Sequence, residues 1–297
     1  MPKIKYIDKR FNRSSRELID RANAIVEDYQ RDGYDLTLRQ LYYQFVARGW
    51  IANEEKEYKR LGAIITDARL AGLIDWEAIT DRTRNLRSNP HWASPAALVE
   101  SAAGWFALDK WADQPNRPEV WIEKDALVGI LEQVCEPLDV AYFSCRGYTS
   151  ASEVWAAAGR LDRYIRRGQH PIVIHLGDHD PSGIDMSRDI QDRFKTFGVD
   201  VEFRRLALNM DQVRTHRPPP NPAKKTDARF ESYQELYGDE SWELDALDPI
   251  TLTGLIRDAV LSVRDDRRWS RAVAREAKAK AQLTRVAEHW ESVVDGL

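Results

Sequence analysis

Apolar positions in the first part of the chain recur at helical spacing. Residues 14–31 form one amphipathic pattern, with Ser14-Ser15 as cap candidates, Glu17 in the first turn and Asp32-Gly33 as the stop. After Thr37, the residues Leu38, Leu41, Tyr42 and Phe45 fall on one buried face of a second helix, which Gly49 closes. A third helix runs from about Glu55 to Ala71 on Tyr58, Leu61, Ile65 and Ala68, and stops at Gly72. Leu73 to Ile79 then alternates as a small ribbon does.

Three short helices and a ribbon are the plan of a winged-helix module, whose third helix commonly enters the DNA major groove. Here that helix carries Lys59 and Arg60 as DNA-contact candidates. Residues 1–88 are read as this module, and 89–118, between Asn89-Pro90 and the Pro115/Pro118 stretch, as a connector with a helix near 94–112. The pattern then changes. Strands at Glu119–Ile122, Asp139–Ser144, Pro171–Leu176 and Asp200–Leu208 alternate with helices at Lys124–Cys135, Ser150–Arg167 and Asp185–Phe197. Such alternation predicts an α/β domain over 119–265, a parallel sheet of about four strands with helices on both faces. The Pro-rich 217–222 reads as an exposed loop, Asp248-Pro249 as a helix cap, and 266–297 as a helical C-terminal tail.

Composition narrows the class. No apolar run approaches the roughly 20 residues of a bilayer span, and the first residues lack the apolar core of a signal peptide. Cys135 and Cys145 are the only cysteines, too few for a disulfide framework or a cysteine zinc site, so a reduced cytoplasmic protein is expected. The net charge of −4 argues against a generic nucleic-acid coat. It is unevenly spread: residues 1–90 hold 17 Lys/Arg against 14 Asp/Glu, and the remainder carries −7.

The chemistry concentrates at the end of the third strand, where Ile172–Leu176 empties into Gly177-Asp178-His179-Asp180-Pro181-Ser182-Gly183. At a strand end, side chains at i and i+2 lie on one side, so Asp178 and Asp180 project together from the edge where open α/β folds bind ligands. Carboxylates that close repel unless a proton or cation intervenes, and a hard divalent ion such as Mg²⁺ is the simplest occupant. Glu123 stands at the matching end of the first strand, giving three candidate metal ligands on one rim. His179 points the other way, and its i, i+4 spacing from His175 is not on a helix, so neither histidine is read as a ligand. Lys124 and Arg146, on the same rim, are candidates for phosphate contact, whereas Lys224-Lys225 reads as solvated loop. Glu243 and Asp245 in Trp242-Glu243-Leu244-Asp245 are suspected of a supporting site role, although helix-start acids before Asp248-Pro249 explain them as well.

A Glu after one strand and an Asp-x-Asp after a later one resembles the Toprim domain of topoisomerases, primases and related nucleases. The continuation Asp178-His179-Asp180-Pro181-Ser182-Gly183 is similar to the Asp-x-Asp-Pro-x-Gly of one branch, the DNA topoisomerase VI A subunit and the meiotic break-forming transesterases. That branch places a winged helix before the Toprim domain, with its catalytic tyrosine in an Arg-x-x-Tyr/Phe-Tyr motif, and this chain has Arg39-Gln40-Leu41-Tyr42-Tyr43. The resemblance covers roughly residues 35–210.

Helix geometry separates the two tyrosines: Tyr42 belongs to the apolar stripe, and Tyr43 points about 150° away from it, within about 40° of Arg39. A guanidinium beside a phenol holds a phosphate and favours the phenolate. The resemblance implies a Mg²⁺-dependent transesterification in which Tyr43 forms a 5′-phosphotyrosyl link to double-stranded DNA. Arg39 and Glu123 would assist, with Mg²⁺ on Glu123, Asp178 and Asp180. It also implies a homodimer with tyrosine and acids from opposite subunits, and a nucleoid-associated setting. The chain has no Gly-rich ATP-binding signature, so strand passage would require a separate B-type ATPase subunit. Two other readings stay open: a Toprim nuclease using metal-activated water, and a catalytically silent DNA-binding module.

Overall fold

The computed structural model describes residues 3–31, 33–80 and 89–295. Asp32, residues 81–88 with the expected boundary at 88, and the outermost two residues at each end lie outside the described residues.

Helix α1 (Arg13–Arg31) starts one residue before the expected pattern. Its cap is Asn12, whose Oδ1 accepts the Ser15 N–H at 2.8 Å, rather than Ser14 or Ser15. Helix α2 (Leu38–Ala47) opens on a capping box: Thr37 Oγ1 accepts the Gln40 N–H at 3.2 Å, and Gln40 Oε1 accepts the Thr37 N–H at 2.8 Å. Helix α3 (Glu55–Leu70) completes the unit, and Ile25, Leu41, Phe45, Leu61 and Ile65 meet in its core. The expected ribbon does not form. Residues 73–79 hold no strand; Leu36 and Ile79 make one isolated parallel bridge, and Asp75 Oδ1 takes the Glu77 N–H at 2.9 Å in a turn that interrupts the alternation.

Helix α4 (Pro95–Trp105) is capped by Ser94. It is followed by β1 (Asn116–Ile122), longer than expected at its start, a short 3₁₀ turn at Asp125–Leu127, α5 (Val128–Cys135) and β2 (Ala141–Ser144). Next come α6 (Ala151–Arg166), β3 (His170–Leu176), α7 (Pro181–Thr196) and β4 (Glu202–Ala207). Beyond them lie α8 (Met210–His216), the two-residue strands β5 (Asn221–Pro222) and β6 (Glu240–Ser241) with α9 (Phe230–Tyr237) between, α10 (Pro249–Leu261), α11 (Asp266–Glu288) and α12 (Trp290–Asp295). Helix α11 packs against α4, so the expected connector helix and the C-terminal tail form one layer.

The four-stranded sheet is entirely parallel, in the order β2-β1-β3-β4. Its faces follow the period of two. Val120, Ile122, Ile172, Ile174 and Leu176 pack with α5 and α10, whereas Trp121 and Val173 pack with α6 and α7. Helices therefore cover both faces, as the near-continuous apolar strands require. The chain leaves β1 for β2 on one side and returns to β3 on the other, so strand order reverses between β1 and β3. That crevice is the topological switch point, where open α/β sheets bind ligands.

Among the described residues no helix is long and apolar enough to cross a membrane.

Candidate active site

The register of the two central strands sets Ile122 beside Leu176, which brings the residues after them together at the switch point. Glu123 Oε2 accepts the Asp178 N–H at 2.8 Å. The acid loop turns sharply here. A Cβ on Gly183 would lie 2.3 Å from the Asp178 carbonyl oxygen, so that glycine is required by close approach, and one on Gly177 would lie 3.0 Å from Glu123 Oε2 and press that carboxylate aside.

Helix α7 starts at Pro181, four residues earlier than the sequence pattern placed it, and Asp180 is its N-cap. Asp180 Oδ1 takes the Gly183 N–H at 2.6 Å and the Ser182 hydroxyl at 3.2 Å. Asp178 turns to other partners: its Oδ1 accepts the Leu244 N–H at 2.8 Å, and its Oδ2 lies 3.0 Å from Lys124 Nζ. The two aspartates thus share a loop while their carboxylates are anchored separately. Among the described residues no three His, Cys, Asp or Glu side chains already form a metal cage. The donor chemistry nevertheless fits a hard cation. Burial raises the Glu123 and Asp178 pKa values, Asp178 to about 8 with further push from Glu123, and Asp180 adds to the rise at Glu123. An added positive charge relieves that excess of carboxylate.

The structure supplies a partner segment that the sequence only hinted at. His179 and Trp242 exchange backbone hydrogen bonds of 2.8 and 2.9 Å, zipping residues 242–245 onto the acid loop. Glu243 and Asp245 arrive beside Lys124, whose Nζ is 2.8 Å from Glu243 Oε2 and 3.4 Å from Asp245 Oδ1. Lys124 is therefore a bound counter-ion rather than a solvated lysine. Burial opposes its charge, but Asp178, Asp245 and Glu243 outweigh that and hold it protonated. Burial likewise pushes Glu243 up, and Lys124 with Arg39 reverses this to bring its carboxyl down to about 2.

Arg39 reaches the same acids from α2. It pairs with Glu243 Oε2 through Nη2, and its Nε lies 2.9 Å from Asp245 Oδ2. Its guanidinium carbon is 5.8 Å from the centre of the Tyr43 ring. The helical-wheel pairing of Arg39 with Tyr43 holds; although Tyr43 points away from the apolar stripe of α2, it is only 3% exposed and packs edge-on against Tyr42. Residues 243–246 cover that face of α2, and Ala246 joins the core of the first unit. Burial, then Asp245 and Glu243, raise the Tyr43 pKa, and Arg39 offsets this in part. Arg39, Tyr42, Tyr43, Asn53, Tyr58 and Glu243 line a cleft of about 210 Å³. Tyrosine helix and acids thus meet within one chain, where the resemblance divides them between subunits.

The remaining candidates lie outside this network. Arg146 is exposed and pairs with Asp125, Lys59 pairs with Glu55 on the open face of α3, and Arg60 pairs with Glu57. Lys224 and Lys225 are exposed. His179 is buried with Nδ1 2.8 Å from the Tyr233 hydroxyl, which also donates to the His179 carbonyl at 2.9 Å.

Sequence reasoning missed Arg205. From β4 it donates to the carbonyls of Asp178 (2.6 Å), Gly183 (3.0 Å), Gly177 (3.2 Å) and Leu208 (3.2 Å), and to Ser187 Oγ. It is the staple behind the acid loop. A charge in a strand that ends in buried Ala207-Leu208 was its signal, because such a charge demands acceptors. No family model, curated protein or solved structure matches this chain.

Proposed function

We propose that the chain is a DNA-cleaving transesterase of the topoisomerase VI A type, with a winged-helix-like first unit and a Toprim-like sheet domain. One observation carries the reading. Arg39, in Arg39-Gln40-Leu41-Tyr42-Tyr43, and the rim acid Asp178, more than a hundred residues later, are linked by one chain of paired side chains running through Glu243 and Lys124. Glu123 joins it by accepting the Asp178 N–H. In this reading Arg39 holds the scissile phosphate beside Tyr43. The Tyr43 Oη–P bond forms as the P–O3′ bond breaks, and the phenol proton balances the one gained by the leaving 3′ oxygen. Glu123, Asp178 and Asp180 would hold Mg²⁺, which when bound supplies positive charge at the reacting phosphate. Lys124 keeps the neighbouring carboxylates compatible with an incoming polyanion. Duplex DNA is the proposed substrate, and a homodimer and a separate ATPase subunit are the proposed partners.

A second reading, metal-assisted hydrolysis with Tyr43 structural, is favoured by the burial of Tyr43 and the rise in its pKa. The two separate cleanly. Denaturing a Mg²⁺ reaction on duplex DNA should trap DNA covalently on the wild type and none on Tyr43→Phe. If Tyr43→Phe still cuts and leaves free ends, hydrolysis replaces transesterification. Asp178→Asn and Asp180→Asn should each abolish cleavage and weaken Mg²⁺ binding by calorimetry. A wild type that neither cuts nor binds Mg²⁺ would leave only the DNA-binding module.

A further inference from the structure

We infer that Glu243 occupies the seat of a DNA phosphate between Arg39 and Lys124, and that DNA binding requires its carboxylate to swing out. The inference rests on the DNA-cleaving reading and assigns a regulatory contact within the same site. A single oxygen, Glu243 Oε2, accepts from both Arg39 Nη2 and Lys124 Nζ, as one phosphate oxygen bridged by two cations would. Glu243 lines the cleft beside Arg39 and Tyr43.

The neighbouring acid behaves differently. The side chain of Asp245 is 1% exposed against 26% for Glu243, and it touches the same two cations from beneath. Asp245 therefore keeps Arg39 and Lys124 in place when Glu243 leaves, and no buried charge is stranded. Arg39 thus divides its contacts: Nε faces the buried Asp245 at 2.9 Å, and Nη2 faces Glu243. A phosphate oxygen in the Glu243 seat meets Nη2 and Lys124 Nζ without disturbing the contact to Asp245.

The test is fluorescence anisotropy with a labelled duplex in EDTA, where no cleavage occurs. Glu243→Gln and Glu243→Ala should bind about tenfold more tightly than wild type. The slope of log affinity against log salt should stay close to that of the wild type, because the same phosphate is contacted once Glu243 has swung out. Glu240→Gln, an exposed site on β6 with the same change in net charge, should leave affinity unchanged. Circular dichroism confirms that each variant is folded, and the alanine variant guards against one substitution failing. Wild-type binding that neither Glu243 variant tightens, or that Glu240→Gln tightens equally, overturns the inference and spares the reading. If no form binds duplex DNA, the DNA reading falls and the inference with it.

Discussion

Two pairs of acids build the site, and they are held by different means. Asp178 and Asp180 each give an oxygen to a backbone N–H, those of Leu244 and Gly183, so the fold itself fixes where they point even though Asp178 also pairs with Lys124. Glu243 and Asp245 are held by the cationic side chains of Arg39 and Lys124. A backbone-anchored carboxylate moves only if the loop moves, whereas an ion-anchored one exchanges partners whenever a competing anion or cation arrives. The first pair suits a fixed ligand site and the second suits a gate.

The hardest blow to this contrast is aimed at the frame of the first pair. Arg205 satisfies four buried carbonyls around the acid loop at once. Arg205→Met strips the Asp178 and Leu208 carbonyls of this donor, leaves Gly177 only the Leu208 N–H and unties the loop from β4, and should cost about 3–5 kcal/mol by urea denaturation. Arg39→Met, which frees ion-anchored acids at a partly open cleft, should cost less, about 1 kcal/mol. Equal losses would erase the distinction between frame and gate.

That distinction also explains what could be read in advance. The parallel sheet was legible because Ile172–Leu176 and Pro118–Ile122 are mostly apolar runs, interrupted only by His175 and Glu119, and the rim acids were legible because each stands one to four residues past such a run. The second and third helices followed from the spacing of Leu41, Phe45, Leu61 and Ile65, and the first from its amphipathic pattern closed by Asp32-Gly33. The burial of Tyr43 was not legible, because a helical wheel knows nothing of residues 243–246, two hundred positions away, which close over it. The roles of Lys124 and Arg205 were hidden for the same reason: an ion pair is a property of a fold, not of a local pattern. The ribbon at 73–79 failed on a local competitor, the Asp75 turn.

The acid loop also predicts a stability profile with two opposing limbs. His175 is fully buried, and burial, then Arg205, depress its pKa from 6.5 to about 3. The unfolded chain binds that proton first, so stability should fall as pH drops from 6.5 toward 3, by up to about 1.4 kcal/mol per pH unit. Asp178 acts in the other direction. Its pKa rises from 3.8 to about 8, so the folded state keeps a proton that the unfolded state has lost. Stability should decline as pH rises from about 4 to 8. Urea midpoints against pH should show the acid limb flattened in His175→Leu and the alkaline limb flattened in Asp178→Asn. An alkaline limb that persists in Asp178→Asn would mean that the backbone-anchored carboxylate is not the group under strain.

The smallest effect is expected farthest from the network. Lys59 lies on the open face of α3, paired across one helical turn with Glu55, and its side chain is 71% exposed. Such a pair contributes little to folding, so Lys59→Gln should leave the unfolding midpoint where it was. If α3 is the helix that meets the duplex, the substitution removes one phosphate contact. The slope of log affinity against log salt should then shrink by about 0.9, uniformly across sequences. An unchanged slope would move the DNA path off α3 and onto the cleft between Arg39 and Glu243. The gate, rather than the exposed helix, would then be the principal electrostatic contact.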